Sequence, residues 1–334
     1  MIRIVIATGI FPPDTGGPAY YAESLAKSFG AVSSVSVLPF TWEKKLPSGV
    51  RHIVYFFRLC KALFSADVVL ALDTFTVGVP AVFAAKLMRK KIVIRTGGDF
   101  LWEQYVERTR EKILLSEFYI NSRKLSMKER TIRWLTGVIL RAADCVVFST
   151  EWQRKIFMAP YRLNHSHTEV VENSYPQKEN TEKPLKKNFL WAGRDIFLKN
   201  KELLVEAFND ARKKRADIVL EILDGVPRKE LFEHMESCYA VLLPSLSDIS
   251  PNFLLEAVSF GKPFVSTVDT GLVGQIRECG IFINPRNKIE LTNAILALSD
   301  DDVYAEYQKK INLFSSYRSY DDIASDFMVI FSTL

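Results

Sequence analysis

The sequence predicts an α/β protein built from two doubly wound halves. Short apolar runs alternate with longer helical patterns along most of the 334 residues. The runs are rich in Val, Ile and Leu, which is typical of parallel strands covered on both faces. A polar stretch with two prolines interrupts this alternation at 174–187. We therefore expect two parallel sheets joined by a linker, with a ligand cleft between the carboxyl ends of their strands.

The expected elements follow one another in a regular order. The predicted strands of the first half lie at 2–7, 35–39, 53–57, 68–72, 92–96, 145–149 and 170–171. Those of the second half lie at 189–192, 218–222, 240–244, 264–267 and 281–283. Predicted helices include 19–29, 202–212, 228–236, 288–298 and a final helix at 316–331. Helices between successive strands indicate crossover connections and hence parallel pairing.

The polar stretch sets the predicted domain boundaries. We expect an N-terminal domain at 1–173, a linker at 174–187 and a C-terminal domain at 188–315. The last segment, 316–334, is expected to pack back on the N-terminal domain. The alternative is that 174–187 is only a surface loop inside one large sheet.

Composition restricts the classes of function. A net charge of +5 is modest, so no nucleic-acid partner is expected. The four cysteines are scattered without a CxxC pair, and the four histidines form no HExxH motif. We therefore expect reduced thiols and no zinc site. The N-terminal residues read as a strand and not as a signal peptide, so the expected location is cytoplasmic.

The first candidate site is the loop after the first predicted strand. Gly16 and Gly17 allow a ligand to approach the backbone closely, and Pro18 suits the start of a helix. The N–H groups at that helix start would face a phosphate or a sugar. The spacing fits neither the dinucleotide-binding glycine motif nor a P-loop. A simple tight turn is the alternative interpretation.

Two cations follow the first strand of the second half. Arg194 comes directly after the predicted strand end at Gly193, and Lys199 stands later in the same loop. Two cations at the carboxyl end of a strand would stabilise the charge that develops on a diphosphate leaving group. The alternative is a pair of solvated surface charges.

Two carboxylates stand on either side of a predicted helix start. Asp248 lies in a turn after a buried strand, and Glu256 lies about one turn into the helix. The backbone N–H groups between them suit an anion, and the carboxylates suit sugar hydroxyls. In the alternative interpretation Ser250 caps the helix, Pro251 takes its first position and Glu256 is solvated.

These motifs together resemble the retaining glycosyltransferases of family 4, which have the GT-B fold of two Rossmann-like domains around an interdomain cleft. Four segments carry the resemblance: the glycine loop, the Gly-Arg-x4-Lys pattern, the Gly-Val-Pro segment after Asp224, and the run Ser-Asp-Ile-Ser-Pro-Asn-Phe-Leu-Leu-Glu-Ala that begins at Ser247. Together with weaker similarities elsewhere, they cover most of the chain.

The resemblance implies a role for each candidate residue. Arg194 and Lys199 would hold the donor diphosphate. Asp248 would bind hydroxyls of the transferred sugar, and Glu256 would bind the nucleotide ribose. The loop at Val226 would lie near the base. Further backbone contacts to the donor would come from Gly16, Gly17, Ser250, Asn252, Phe253 and Leu254.

The sequence departs from the family pattern in several places. Asn200 stands after Lys199 where the family usually has Gly. One βα unit is missing before 218–222, so the second sheet is expected to be small. Gly98 stands where the family often has a His that touches the sugar. The next residue, Asp99, would either assist an acceptor hydroxyl as a catalytic group or cap a helix.

The stretch from Glu107 to Arg141 is rich in Arg and Lys interleaved with apolar residues. One interpretation is an ordinary solvated helical face over a core. The other is a basic amphipathic surface that docks on anionic lipid, which would make the protein peripheral to a membrane.

The sequence thus predicts transfer of a sugar from a nucleotide-diphosphate-sugar to a hydroxyl acceptor, a glycan or lipid-linked glycan. Retention of anomeric configuration is implied by the family. No cofactor and no metal are expected if cations and helix dipoles stabilise the leaving group. The alternatives are a non-catalytic relative that acts as a partner subunit and a nucleotide-sugar epimerase.

Overall fold

In a computed structural model the chain forms two α/β sheets, as the sequence predicts. The structure describes residues 2–334 except 15, 48, 122 and 180–183. Within those residues the first sheet has six strands and the second has five. All strand pairs in both sheets are parallel. The predicted fold class is confirmed, and the second sheet is the smaller one.

The elements are numbered in chain order. The strands are β1 (Arg3–Thr8), β2 (Ser34–Pro39), β3 (Val68–Ala71), β4 (Lys91–Thr96), β5 (Cys145–Phe148), β6 (Thr168–Val170), β7 (Lys187–Gly193), β8 (Ile218–Asp224), β9 (Ala240–Leu243), β10 (Phe264–Thr267) and β11 (Gly280–Ile283). The helices are α1 (Gly17–Val32), α2 (Val50–Leu63), α3 (Gly78–Leu87), α4 (Phe100–Thr109), α5 (Leu115–Phe118), α6 (Met127–Ala142), α7 (Glu151–Tyr161), α8 (Lys201–Lys214), α9 (Arg228–Ser237), α10 (Asn252–Ser259), α11 (Val273–Ile276), α12 (Lys288–Leu298), α13 (Asp301–Leu313) and α14 (Tyr320–Thr333).

The first sheet has the strand order β2-β1-β3-β4-β5-β6. Its four inner strands are almost wholly buried, and α1 and α14 cover one of its faces. Phe29 of α1 packs edge-to-face against Phe327 of α14, with ring centroids 6.2 Å apart. The last helix of the chain is therefore part of the core under the first sheet.

The strand predicted at 53–57 is wrong, because these residues lie inside α2. Tyr55, Leu59 and Leu63 are fully buried at intervals of four residues, which is the period of a helix. The segment misleads because its five residues, Ile-Val-Tyr-Phe-Phe, are a short apolar run rich in β-branched and aromatic residues, and such a run alone does not distinguish strand from helix.

The second sheet has the strand order β11-β10-β9-β7-β8. The chain moves outward from β7 to β8, then returns through α9 to β9 on the other side of β7. The order of the strands therefore reverses between β7 and β9. In doubly wound sheets, ligands bind at the carboxyl ends of the two strands that flank such a reversal.

By its internal contacts the chain divides into two compact units. The first unit comprises Met1–Tyr105, Ser122–Asn173 and Ser319–Leu334, and the second comprises Val106–Asn121 and Ser174–Arg318. The predicted N-terminal domain at 1–173 differs from the first unit by 106–121. The predicted linker at 174–187 includes 180–183, which lie outside the described residues, and its last residue begins β7.

The final helix predicted at 316–331 corresponds to α14, which begins four residues later than expected. α13 ends at Leu313, and α14 begins at Tyr320. The break is fixed by a capping box in which the side chains of Ser319 and Asp322 each accept a backbone N–H of the other residue. α14 belongs to the first unit.

The basic stretch from Glu107 to Arg141 is divided between the two units. Residues 106–121 belong to the second unit, where Glu117 pairs with Arg286 at 2.8 Å. α6 belongs to the first unit. Of the helices in the described part of the chain, none is long and apolar enough to span a bilayer.

We expect Phe327→Ala to destabilise the first unit by about 3–5 kcal/mol, because it leaves a cavity where a fully buried ring packs. The measurement is the melting temperature by calorimetry. Val329→Ala on the exposed side of the same helix is the matched control, and its effect should be small. Equal melting temperatures for the two variants would contradict the packing of α14 in this core.

Candidate functional site

Lys199 and Asp248 form an ion pair at the strand reversal of the second sheet. Lys199 ends a short 3₁₀ turn after β7, and Asp248 lies in the turn after β9. The Lys199 Nζ and Asp248 Oδ2 atoms are 2.7 Å apart, and both side chains are partly buried. Two residues from separate motifs of the sequence therefore meet at the place where this fold binds ligands.

Asn200 locks the two loops that carry this ion pair. Its side-chain amide donates to the carbonyl oxygens of Pro244, at 3.1 Å, and Pro285, at 2.7 Å. Its backbone has a φ of 55°, in the left-handed region that Gly and Asn adopt most readily. This conformation explains why Asn replaces the Gly of the family pattern. The Leu246 N–H also donates to the Leu198 carbonyl oxygen at 2.9 Å.

Asp248 is held from a second side by Asp269, which follows β10. The Asp248 N–H donates to the Asp269 carbonyl oxygen at 3.1 Å. The buried Asp269 carboxylate accepts hydrogen bonds from the hydroxyls of Ser247 and Ser116. The Leu115 N–H donates to the Ser247 Oγ at 2.8 Å. Residues 106–121 therefore support the turn that carries Asp248.

The roles of Asp269, Ser247 and Ser116 in supporting this turn were not predicted from the sequence. Their role depends on a contact between segments more than 100 residues apart. A signal was present only for Asp269, which directly precedes a Thr-Gly turn after a predicted strand.

Arg194 differs from Lys199 in having no carboxylate partner among the described residues. Its side chain is exposed at the carboxyl end of β7. The adjacent Asp195 pairs instead with Lys201. The two cations of the predicted phosphate clamp thus lie in one loop, one of them neutralised by Asp248 and the other open to solvent.

The start of α10 lies one residue later than the sequence suggests. Pro251 takes the cap position and Asn252 begins the helix, with no side chain capping it and no acidic residue in the first turn. The Leu254 N–H donates to the Pro251 carbonyl oxygen at 3.1 Å. Ser250 precedes the cap, and Phe253 occupies the second helical position. The positive end of the helix dipole is therefore not compensated by a side chain.

Glu256 is paired with Arg228, a residue that the sequence analysis missed. The Arg228 Nη1 and Glu256 Oε1 atoms are 2.6 Å apart. Burial raises the pKa of Glu256, and the neighbouring Arg228 acts in the opposite direction. The Arg228 guanidinium also lies 4.4 Å from the centre of the Phe232 ring. Arg228 begins α9 two residues after Val226, in the loop that is predicted to contact the base. It therefore links that loop to Glu256, which is predicted to bind the ribose.

The first unit carries the glycine loop. Gly16 caps α1 with a φ of 118°, a conformation that L side chains rarely adopt, and Gly17 and Pro18 begin the helix. Thr15, directly before them, lies outside the described residues. In the same loop, a Cβ on Gly9 would lie 2.8 Å from an Asp73 carboxylate oxygen, so the loops after β1 and β3 approach closely there.

Asp99 caps a helix in the first unit. Its carboxylate accepts the Trp102 N–H at 3.0 Å, and its side chain is buried at the start of α4. The preceding Gly98 is closely approached by Glu103, since an added Cβ would lie 2.8 Å from the Glu103 Oε1 atom. The structure therefore shows the capping alternative for Asp99, while its catalytic role stays a prediction. Among the described residues, no three His, Cys, Asp or Glu side chains group in a way that could hold a metal ion.

We expect Asn200→Ala to be less stable than Asn200→Gly by about 1 kcal/mol. Both variants lose the two hydrogen bonds of the amide, but only Ala is strained by the left-handed backbone. Urea unfolding followed by tryptophan fluorescence measures the difference. An Ala variant as stable as the Gly variant would contradict the conformation described for Asn200.

We expect the stability of the wild type relative to Glu256→Gln to fall as the pH rises above 4.5, the ordinary pKa of this group. A pKa raised by folding stabilises the fold below the unfolded pKa, and that contribution is lost as the pH rises through the folded value. The measurement is the urea midpoint of each protein across pH. Glu230→Gln on the exposed surface is the control. A difference that grows in favour of the wild type at high pH would contradict the direction of the shift.

One family model matches part of the chain. Residues 212–301 match the family model described as glycosyl transferases group 1. The matched stretch contains Asp248 and Glu256, whereas Arg194 and Lys199 precede it. No curated protein is similar enough in sequence to count as a match.

Solved structures resemble the chain over its full length. The HepE protein of Anabaena, in complex with UDP-glucose, has a TM-score of 0.73 and 13% identity over 100% of both chains. Sucrose-phosphate synthase from Thermosynechococcus elongatus has a TM-score of 0.70 and 11% identity over 99% of this chain and 98% of that one. The lipopolysaccharide outer core galactosyltransferase WaaB has a TM-score of 0.64 and 16% identity over 100% of both. The chain thus has the GT-B fold, and its residues 212–301 are similar to the group 1 glycosyl transferases.

Proposed function

We propose that this protein transfers a sugar from a nucleotide-diphosphate-sugar to a hydroxyl acceptor with retention of anomeric configuration. The observation that carries the proposal is the Lys199–Asp248 ion pair beside the exposed Arg194, at the strand reversal of the second sheet. The exposed Arg194 and the paired Lys199 suit the phosphates of such a donor, and Asp248 suits the hydroxyls of its sugar.

The donor diphosphate would bind to Arg194 and Lys199. Lys199 has three N–H donors, of which the Asp248 contact uses one. Phosphate oxygens would take the others and would draw the ammonium partly away from the carboxylate. Asp248 would then accept hydrogen bonds from hydroxyls of the sugar. The uncapped start of α10 adds a positive dipole near the same turn.

The nucleoside would bind at Glu256 and Arg228. One Glu256 oxygen is engaged by Arg228, and the second is able to accept ribose hydroxyls. Arg228 favours the ionised form that this requires, against the effect of burial on the pKa of Glu256. The base would lie against the loop at Val226. The UDP-glucose bound to the HepE protein makes a UDP-sugar the first donor to test.

Leaving-group stabilisation would come from the cations and the helix dipole, without a metal ion. As the glycosidic bond breaks, negative charge grows on the diphosphate and its attraction to Arg194 and Lys199 increases. The acceptor hydroxyl would attack from the face that the diphosphate leaves, and the leaving phosphate oxygen would take its proton. This order of events retains the anomeric configuration. The glycine loop at Gly16 and Gly17 would lie against both the donor diphosphate and the acceptor, a glycan or lipid-linked glycan.

A non-catalytic binding subunit is the second candidate function. The observation that favours it is the use of Asp99 as a helix cap, next to Gly98 at the position of the family histidine. Nucleotide-sugar binding without turnover would support it. Formation of an isomerised nucleotide-sugar without acceptor would instead indicate an epimerase.

We expect Arg194→Ala to weaken donor binding or turnover at least tenfold, about 1.4 kcal/mol, because an exposed cation of the clamp is removed without disturbing an internal ion pair. The measurement is the thermal shift caused by UDP, GDP, ADP and their sugar conjugates, followed by turnover with the donor that binds. Lys229→Ala, at a strongly exposed cation on α9, is the control.

Two outcomes would contradict the proposal. Equal donor affinity and turnover in Arg194→Ala and the control would remove Arg194 from the clamp. The absence of a shift with any nucleotide, in a wild-type protein that melts cooperatively, would exclude donor binding at this site.

A further inference from the structure

The outer side of α2 is apolar although it faces solvent. Tyr55, Leu59 and Leu63 are fully buried on the inner side. The outer side carries four exposed apolar residues whose spacing places them on one face: Val50, Ile53, Phe57 and Phe64. Of these, Phe57 is 64% exposed and Phe64 is 75% exposed. A helix that lies on a globular core normally presents polar residues to solvent. The described residues of the structure therefore do not cover this face of α2.

Two neighbouring helices extend this surface. α2 packs against α3, and α3 packs against α6. α3 exposes Phe83 and Leu87, one helical turn apart. α6 exposes Met127 and Trp134, the latter by 65%. We call the exposed side of these three helices the outer face. Contiguous apolar surface of this kind on a protein marks an interaction site.

The charge of the outer face is almost entirely positive. Residues 50–64, 78–90 and 127–142 contain ten Lys or Arg residues and a single acid, Glu129. Glu129 is buried in the capping box of α6. Among the described residues, only Arg58 and Lys86 of the ten are paired with a carboxylate. The ten basic residues are Arg51, Arg58, Lys61, Lys86, Arg89, Lys90, Lys128, Arg130, Arg133 and Arg141.

We propose that the outer face of α2, α3 and α6 docks on an anionic phospholipid surface. Aromatic and aliphatic side chains would enter the boundary between headgroups and acyl chains, and the Lys and Arg residues would contact lipid phosphates. This inference goes beyond the proposed sugar transfer. Of the basic amphipathic stretch predicted from Glu107 to Arg141, it uses only α6.

Charge distinguishes this occupant from a second copy of the chain. A symmetric dimer formed through the outer face would bring two sets of like charges together, and the one acid of this face, Glu129, is buried and does not face them. Nucleic acid would satisfy the charges but would leave the exposed Phe57 and Phe64 without an apolar partner. An anionic bilayer satisfies both properties at once.

The experiment is flotation of the full-length protein with vesicles. One set consists of phosphatidylcholine alone and the other of phosphatidylcholine mixed with phosphatidylglycerol. The test variants are the double substitution Phe57→Ser with Phe64→Ser, and the double substitution Arg130→Glu with Arg133→Glu. The matched controls are Val329→Ser and Lys27→Glu on α14 and α1, which are also exposed and lie on the other side of the first sheet.

We expect the wild type and both controls to float with the anionic vesicles and not with the neutral ones. Each test variant should lose at least tenfold in partition coefficient, and raised salt should weaken binding because it screens the charges. Melting temperature and the nucleotide-induced thermal shift should stay unchanged in every variant. This readout separates loss of docking from loss of folding or of the donor site.

Three results would overturn the proposal. Wild-type protein that stays with neither vesicle type would exclude lipid docking. Test variants that bind like the controls would exclude the outer face. Sedimentation velocity that shows a wild-type dimer dissociated by the Phe57 and Phe64 substitutions, without vesicle binding, would identify a second copy of the chain as the occupant.

Discussion

The site depends on the hydrogen bonds of the Asn200 amide. By donating to the carbonyls of Pro244 and Pro285, this one side chain joins the loop after β7 to the loops after β9 and β11. The distance between Lys199 and Asp248 is set by this junction, because each residue stands within a few positions of an anchored point. The ion pair is thus a consequence of backbone geometry that a single amide holds in place.

Residues 106–121, from the first half of the sequence, belong to the second unit and support the turn that carries Asp248. Ser116 and the backbone N–H of Leu115 bond to Asp269 and Ser247, on the turn that leads to Asp248. A buried carboxylate is costly unless hydrogen-bond donors satisfy its oxygens. The hydroxyls of Ser247 and Ser116 and the Ser116 N–H supply donors to both oxygens of Asp269, and the turn gains rigidity from them.

Local sequence signals predicted most of the fold. Buried strands such as β4 and β9 are short runs of β-branched and aliphatic residues, so their position follows from hydrophobic patterning alone. The predicted strand at 53–57 was wrong because a five-residue apolar run is shorter than two helical turns, and the period of α2 shows only over its full length. The Arg228–Glu256 and Ser116–Asp269 contacts were missed because each joins positions whose proximity only the folded chain defines.

The order in which the chain is made has a consequence for the first unit. Its core is closed by α14, and Phe327 and Phe331 of that helix are synthesised only after the whole second unit. Until then the surface of α1 around Phe29 remains uncovered, although the rest of the first sheet has already been synthesised. The first unit therefore completes its fold only after translation of the second, which reverses the usual N-terminal-first order of domain folding.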